Sequence, residues 1–264
     1  MIDDTGESWV VIRLSATALW LPERDADELH SSVDLAGLRV VEPTETEWEP
    51  GALVPGNSWN GIRTRDDISP SSDATFRTDR DVALVKLPGP GSLERRLSCL
   101  GVVDEYLGEF DDVPGMTTQT IRGQGGRRMG LHLDNWDRKT AGERRSSRNR
   151  ASLNFGDEPR RFLFVDHDVV TGHGPADVPS TETARRLVRD AKNPPVVVRV
   201  KVPKGWAYIA PTETLLHDAW SIGQRHGSHH ASALGWFSPT HGVAKAEMMG
   251  IDADLSVVVE PATT

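Results

Sequence analysis

The chain has a single cysteine, Cys99, among 264 residues. One thiol cannot close an internal disulfide, so a reducing cytosol is the expected setting. No apolar run approaches the length that crosses a bilayer, and no membrane partner is expected. The opening residues, MIDDTGESW, are acidic. They lack the basic and then apolar stretches of a secretory leader, so none is expected. Positive charge is in deficit, with 30 Lys and Arg against 39 Asp and Glu, a net of −9. That balance argues against binding along the outside of nucleic acid. Lysine is scarce, 6 against 24 arginines, which points to a GC-rich bacterial source. No internal repeat and no low-complexity segment is visible.

What remains is enough for one large core: 37% apolar residues over 29.0 kDa suit a single domain spanning 1–264. Short extended segments separated by turn residues point to β structure. They are WVVIRL at 9–14, LRVV at 38–41, VALVKL at 82–87, RFLFVD at 161–166, VVVRVKV at 196–202 and LSVVVE at 255–260. In VVVRVKV, Val196, Val198, Val200 and Val202 alternate with Val197, Arg199 and Lys201. A period of two puts the four valines on one face of a half-buried strand. Helices are fewer. Residues 92–110 space Leu93, Leu97, Leu100, Val103, Leu107 and Phe110 by three and four, which predicts an amphipathic helix capped by Ser92. A second helix, over 180–193, starts at Ser180 or Thr181 and is stopped by Pro194 and Pro195. The polar, Gly/Pro-rich stretch 42–81 reads as irregular covering structure. The expected fold class is mainly β with flanking helices, compatible with a cupin-like jelly roll. Residues 1–114 would supply flanking strands and a packing helix, and 115–264 the core, with a helical insertion near 180–193.

The chemistry concentrates in 129–137, Met-Gly-Leu-His-Leu-Asp-Asn-Trp-Asp. On an extended segment, His132 and Asp134 point to the same side, as two neighbouring ligands of one metal must. Further on, WAYIAPTETLLHDA reads as an extended run that delivers His217. Two histidines and a carboxylate on one face of a metal leave the opposite positions open for a bidentate co-substrate and O2.

The pattern His132-x-Asp134 followed by His217, 85 residues after His132, resembles the Fe(II)/2-oxoglutarate-dependent oxygenase superfamily. The resemblance covers roughly 115–240 and is of the small bacterial amino-acid or natural-product hydroxylase type. It implies a double-stranded β-helix core and Fe(II) held by His132, Asp134 and His217. It also implies 2-oxoglutarate as co-substrate, O2 as oxidant, and hydroxylation of a C–H bond with release of succinate. The far carboxylate of 2-oxoglutarate would need a cation, and arginine suits a carboxylate through paired hydrogen bonds. Arg225 is the only arginine after His217, with Ser228 as a further donor; Arg150 is its rival. Asp134 stands where related halogenases carry a small residue, which favours hydroxylation.

Asn135, Trp136 and Trp220 are nominated to contact substrate. The substrate would be a small polar molecule, an amino acid or natural-product intermediate, with a carrier-bound or peptide substrate also open. His226, His229 and His230 form a rival His cluster, and His167, Asp168 and His173 lie in a loop after a strand. Arginines from Arg127 to Arg161 form either solvated loops or an electropositive mouth that steers anions. The competing class is a cupin-like protein that binds a metal or small molecule without turning over 2-oxoglutarate.

Overall fold

Two sheets stack face to face in the computed structural model, which describes residues 9–14, 17–22, 25, 33–62, 69–70, 76–87, 91–123, 126–193 and 195–239. The expected strand at 255–260 lies outside the described residues. The strands are β1 (Trp9–Arg13), β2 (Ala18–Pro22), β3 (Val33–Val40), β4 (Leu53–Ile62), β5 (Ser69–Pro70) and β6 (Asp81–Lys86). After helix α1 (Leu93–Ser98) come β7 (Gly101–Asp111), β8 (Asn149–Asn154) and β9 (Arg160–Val165). Helix α2 (Thr181–Arg189) precedes β10 (Val197–Val202), β11 (Trp206–Ala210), β12 (His217–Trp220) and β13 (His229–Phe237). One sheet runs β5-β1-β2-β6-β11-β8-β13-β7 and the other β12-β9-β10-β3-β4. Among these strands every pairing is antiparallel except β2 with β6. The protein is thus mainly β, with strands from both ends of the chain in each sheet.

The period-two reading of β10 holds. Val198, Val200 and Val202 join the core between the sheets, with Phe162 and Phe164 of β9 and Leu19, Leu84 and Tyr208 of the larger sheet. Fully burying a side chain of this size stabilises by about 1.5–3 kcal/mol, so this layer holds the two sheets together. The outer faces are covered as well. Leu97 of α1 and Leu100 just after it pack on Ala151, Leu153, Ala231 and Ala233. Ala184 and Val188 of α2, with Leu131 and Leu133, pack on Leu163, Val165 and Val197. Helix α2 begins at Ser180, whose hydroxyl accepts from the Thr183 N–H in a reciprocal capping box. Among the described residues no helix is long and apolar enough to cross a membrane.

Three expectations are corrected. The helix predicted over 92–110 is only Leu93–Ser98, and the rest is strand β7. Ser92 does cap it, accepting from the Arg95 N–H. Gly101 ends the helix: it has φ +151, and a Cβ there would meet the Trp236 carbonyl oxygen at 2.1 Å. Two register shifts between β7 and β13 break the simple alternation, so the strand does not advertise period two. The stretch 42–81 is not wholly irregular, because it contains β4 and β5. Strand β4 lies at the edge of its sheet, where Pro55 and the glycines are tolerated. Finally, the run 206–218 is two strands. Residues 206–210 belong to the larger sheet, and a turn closed by Thr214 N–H to the Pro211 carbonyl (2.9 Å) crosses to β12 in the smaller one.

Candidate metal centre

The segment 131–134 is extended, and its side chains alternate as expected. Leu131 and Leu133 enter the cluster under α2, while His132 and Asp134 turn toward His217. Two backbone bonds lock His132 opposite His217: His132 N–H to the His217 carbonyl (3.1 Å) and His217 N–H to the His132 carbonyl (2.9 Å). Such a doubly bonded antiparallel pair places the two side chains side by side. The Asp134 N–H donates to the Thr212 carbonyl (3.1 Å), tying the carboxylate residue to the turn before β12.

His132, Asp134 and His217 are all buried, and each offers a ligand atom within 4.8 Å of the other two. His132 Nε2 lies 3.9 Å from Asp134 Oδ1, and His217 Nε2 lies 3.7 Å from Asp134 Oδ2. The imidazole centroids are 4.6 Å apart. The rear nitrogens point to carbonyls: His132 Nδ1 to Gly130 (3.2 Å) and His217 Nδ1 to Leu215 (3.2 Å). Two atoms facing the centre, Asp134 Oδ2 and His217 Nε2, are buried and have no hydrogen-bond partner. Arg150 Nη2 is 2.9 Å from Asp134 Oδ2. This is a charge contact and not a hydrogen bond.

The electrostatics favour the ligand-ready forms of Asp134 and His217, whereas His132 is drawn toward its protonated form, so a metal binding there would displace a proton. Burial pushes the Asp134 carboxyl up, but the charge of Arg150 and the two imidazoles outweigh it and hold it at about 2. Burial pulls the His217 imidazole down to about 3, helped by the His132 and Arg150 charges. Burial would also lower His132, yet the Asp218 and Asp134 carboxylates raise it above the ordinary value.

A buried arginine frames the centre. Arg144 donates from Nε to the Glu213 carbonyl (2.8 Å), from Nη1 to Asn135 Oδ1 (2.6 Å) and from Nη2 to the Asp134 carbonyl. Its Nε is also 3.3 Å from Glu213 Oε2. It thereby pins the Asp134 loop to the turn before β12.

A strip of polar side chains runs from the centre between the sheets. Along β8, Arg150, Ser152 and Asn154 alternate with Ala151 and Leu153 of the outer cluster. Ser152 bonds Ser232 of β13 (3.0 Å). Arg160 of β9 donates from Nη1 to Ser152 Oγ (3.1 Å) and Tyr208 Oη (3.0 Å), and from Nε to Asp112 Oδ2 (3.1 Å). His230 is buried, with Nδ1 unpartnered, and burial with the Arg160 and Arg150 charges keeps it well below the ordinary histidine range.

The other nominated residues are distributed differently. Arg225 is exposed on a turn, where its backbone N–H donates to Glu158 (2.9 Å). Ser228 is buried and bonds Asp112. Asn135 is exposed and engaged by Arg144, and Trp136 is 48% exposed beside it. Trp220 packs edge-on against Trp59 in the cluster under α2, with Arg199 over its ring, away from the interior that holds His217. The rival His cluster does not converge. His226 is exposed, His229 bonds Asp111, and His230 stacks on Phe110. His173 uses both nitrogens, on the Val169 carbonyl (2.8 Å) and Thr183 Oγ1 (2.9 Å). Most of the basic stretch is structural: Arg145 pairs with Asp168, Arg148 with Asp137 and Asp104, and Arg160 with Asp112.

The sequence reading missed Arg144, Glu213, Asp218 and the Arg160–Tyr208–Ser152 group. The signal for the last was available in NRASLN, whose polar residues recur at every second position; such alternation ordinarily marks a solvent-facing side. No family model, no curated protein and no solved structure matches the chain.

Proposed function

We propose that this chain is an Fe(II)- and 2-oxoglutarate-dependent dioxygenase. It would hydroxylate a C–H bond of a small polar substrate, an amino acid or natural-product intermediate. The observation that carries the reading is the buried His132–Asp134–His217 set, in which His217 Nε2 has no hydrogen bond and Asp134 Oδ2 has only its ion pair with Arg150. Unpaired buried polar atoms are costly. Two nitrogens and one carboxylate on one side of a point suit Fe(II) and leave positions open.

The strand order supports the jelly-roll part of the reading. From β7 onward, β7, β8, β11 and β13 fall in the larger sheet in the order β7-β13-β8-β11. Segment 131–134, β12, β9 and β10 form the complementary run, joined by the His132–His217 bridge. Numbered in chain order, the two runs are 1-8-3-6 and 2-7-4-5, the interleaving of a double-sheet roll. Both histidines and Asp134 then sit at one end of the interior.

The group the residues would hold supplies the activation of O2 and the oxidising power. The chain supplies binding, orientation and dryness. His132, Asp134 and His217 would take one face of the iron. Two strand positions along β8, about 7 Å at strand rise, separate Arg150 from Ser152, where Arg160 is bonded. That span matches a five-carbon dicarboxylate lying along the strip. Arg160 keeps Nη2 free of bonds among the described residues, and with Tyr208 Oη and Ser152 Oγ it would hold the far carboxylate. Arg225, exposed on its turn, fits this role less well than Arg160. Phe162, stacked on Tyr208 at 4.0 Å and 6.0 Å from the His217 ring centroid, keeps water from that wall.

Incubation with Fe(II), 2-oxoglutarate and air tests the reading. Wild type should release succinate and His132→Ala should not. If wild type binds Fe(II) yet never consumes 2-oxoglutarate, with or without candidate substrates, the metal-binding cupin-like reading replaces this one.

A further inference from the structure

We propose that Asp218 is a positioning residue for His132, holding the rear edge of the imidazole so that Nε2 is presented to the metal. The inference rests on the metal-centre reading above. Asp218 follows His217 on β12, and its side chain is 1% exposed. Its two oxygens are used differently. Oδ1 accepts the backbone N–H groups of Gln119 (2.9 Å), Thr120 (3.3 Å) and Ala219 (2.7 Å). Oδ2 has only a long contact from the Thr120 N–H (3.4 Å) and faces His132 Nδ1 at 3.5 Å. One oxygen is therefore fastened to the backbone while the other is aimed at the ring.

Among the described residues no lysine or arginine makes an ion pair with Asp218, and its one charge partner is His132. Burying a carboxylate without a cation costs several kcal/mol. The three N–H donors offset part of that, and a metal-bound imidazole would offset the rest. His132 Nδ1 has a second acceptor, the Gly130 carbonyl at 3.2 Å. The carbonyl and the carboxylate both face that one nitrogen, and their effects are separable. Either acceptor fixes the tautomer, but only the carboxylate adds negative charge behind the ring and makes Nε2 a stronger donor.

Asp218 also tethers residues 119–120, so a purely structural role must be separated. Ser221 ties the same segment: its hydroxyl accepts from the Met116 N–H (2.9 Å) and Gln119 Nε2 (2.7 Å), and neither histidine contacts it. The experiment titrates Co(II) into wild type, Asp218→Asn and Ser221→Ala, following the visible spectrum of the bound ion. Asp218→Asn should bind Co(II) about tenfold more weakly or worse, with a shifted spectrum. Ser221→Ala should keep wild-type affinity and spectrum even where its melting temperature falls. Equal affinity in Asp218→Asn and wild type overturns the proposal, and so does an equal loss in Ser221→Ala. Should Asp218→Asn not fold, Zn(II)-loaded wild type decides by NMR. A scalar coupling across the hydrogen bond from His132 Nδ1–H should reach the Asp218 carboxylate carbon. Coupling to the Gly130 carbonyl carbon alone overturns it. If wild type binds neither Co(II) nor Zn(II), it is the metal-centre reading that fails.

Discussion

Tyr208 shows how a single hydroxyl can be assigned work. Its ring belongs to the apolar core, stacked on Phe162, while its Oη lies 3.0 Å from Arg160 Nη1. If Arg160 and Tyr208 hold the far carboxylate of 2-oxoglutarate, Tyr208→Phe removes one hydrogen bond to a charged group and leaves the packing intact. Such a bond is worth about 1.5–3 kcal/mol, so the 2-oxoglutarate requirement should rise about tenfold or more. Fe(II) affinity should not change, and steady-state titration of each separately checks this. An unchanged 2-oxoglutarate requirement would remove Tyr208 from the site. At this scale the convergence of His132, Asp134 and His217 was legible, because His132-x-Asp134 puts two side chains on one side of an extended segment. The Arg160 group was not, since nothing local says that a polar strand face is turned inward. Trp220 was misplaced for a related reason. An aromatic three positions after His217 on a strand faces the other way.

At the scale of elements, the 92–110 stretch carried a leucine spacing that fits a helix, yet β7 claims most of it. Leu97 and Leu100 are buried under the helical reading, but Phe110 is 44% exposed on the strand. Pairing with β13 over nine positions decided the outcome, and such long-range pairing overrides a short periodic signal. Gly101 is the switch between the two states. Gly101→Ala should destabilise by at least about 2 kcal/mol, because the new methyl meets a backbone carbonyl and the φ is one that L residues avoid. Chemical denaturation measures it, and a cost within error of zero would contradict the structure at this junction. Strand β6 offers a second test. Asp81, at its start, is buried and accepts the Arg77 N–H at 2.7 Å. Burial raises its carboxyl to about 6 from the ordinary 3.8. The folded state therefore holds this proton more tightly than the unfolded chain. The contribution to stability is full below about pH 4 and is lost as pH rises through about 6. Asp81→Asn should abolish that part of the pH slope, so the difference in stability between variant and wild type should grow in the variant's favour from pH 4 to 7. A difference that stays flat over that range contradicts the burial of Asp81.

For the whole molecule, a net charge of −9 goes with an interior in which Arg150 pairs with Asp134, Arg160 with Asp112, and His132 faces Asp218. The mainly β class was legible from short valine-rich runs, of which VVVRVKV is the clearest. The two-sheet order was not, because it depends on which distant strands meet: β1, β2 and β6 extend the larger sheet and β3 and β4 the smaller. His132 and Asp134 meet His217 at a bridge beside the edge of the smaller sheet, so the candidate site joins segments that local patterning treats as unrelated. The most direct test is an anaerobic titration of the whole chain with Fe(II) and 2-oxoglutarate, watched in the visible region beside His132→Ala. The account predicts a weak charge-transfer band in wild type, as iron chelated by a keto acid gives, and none in the variant. Fe(II) bound without that band, or the same band in both proteins, would contradict it.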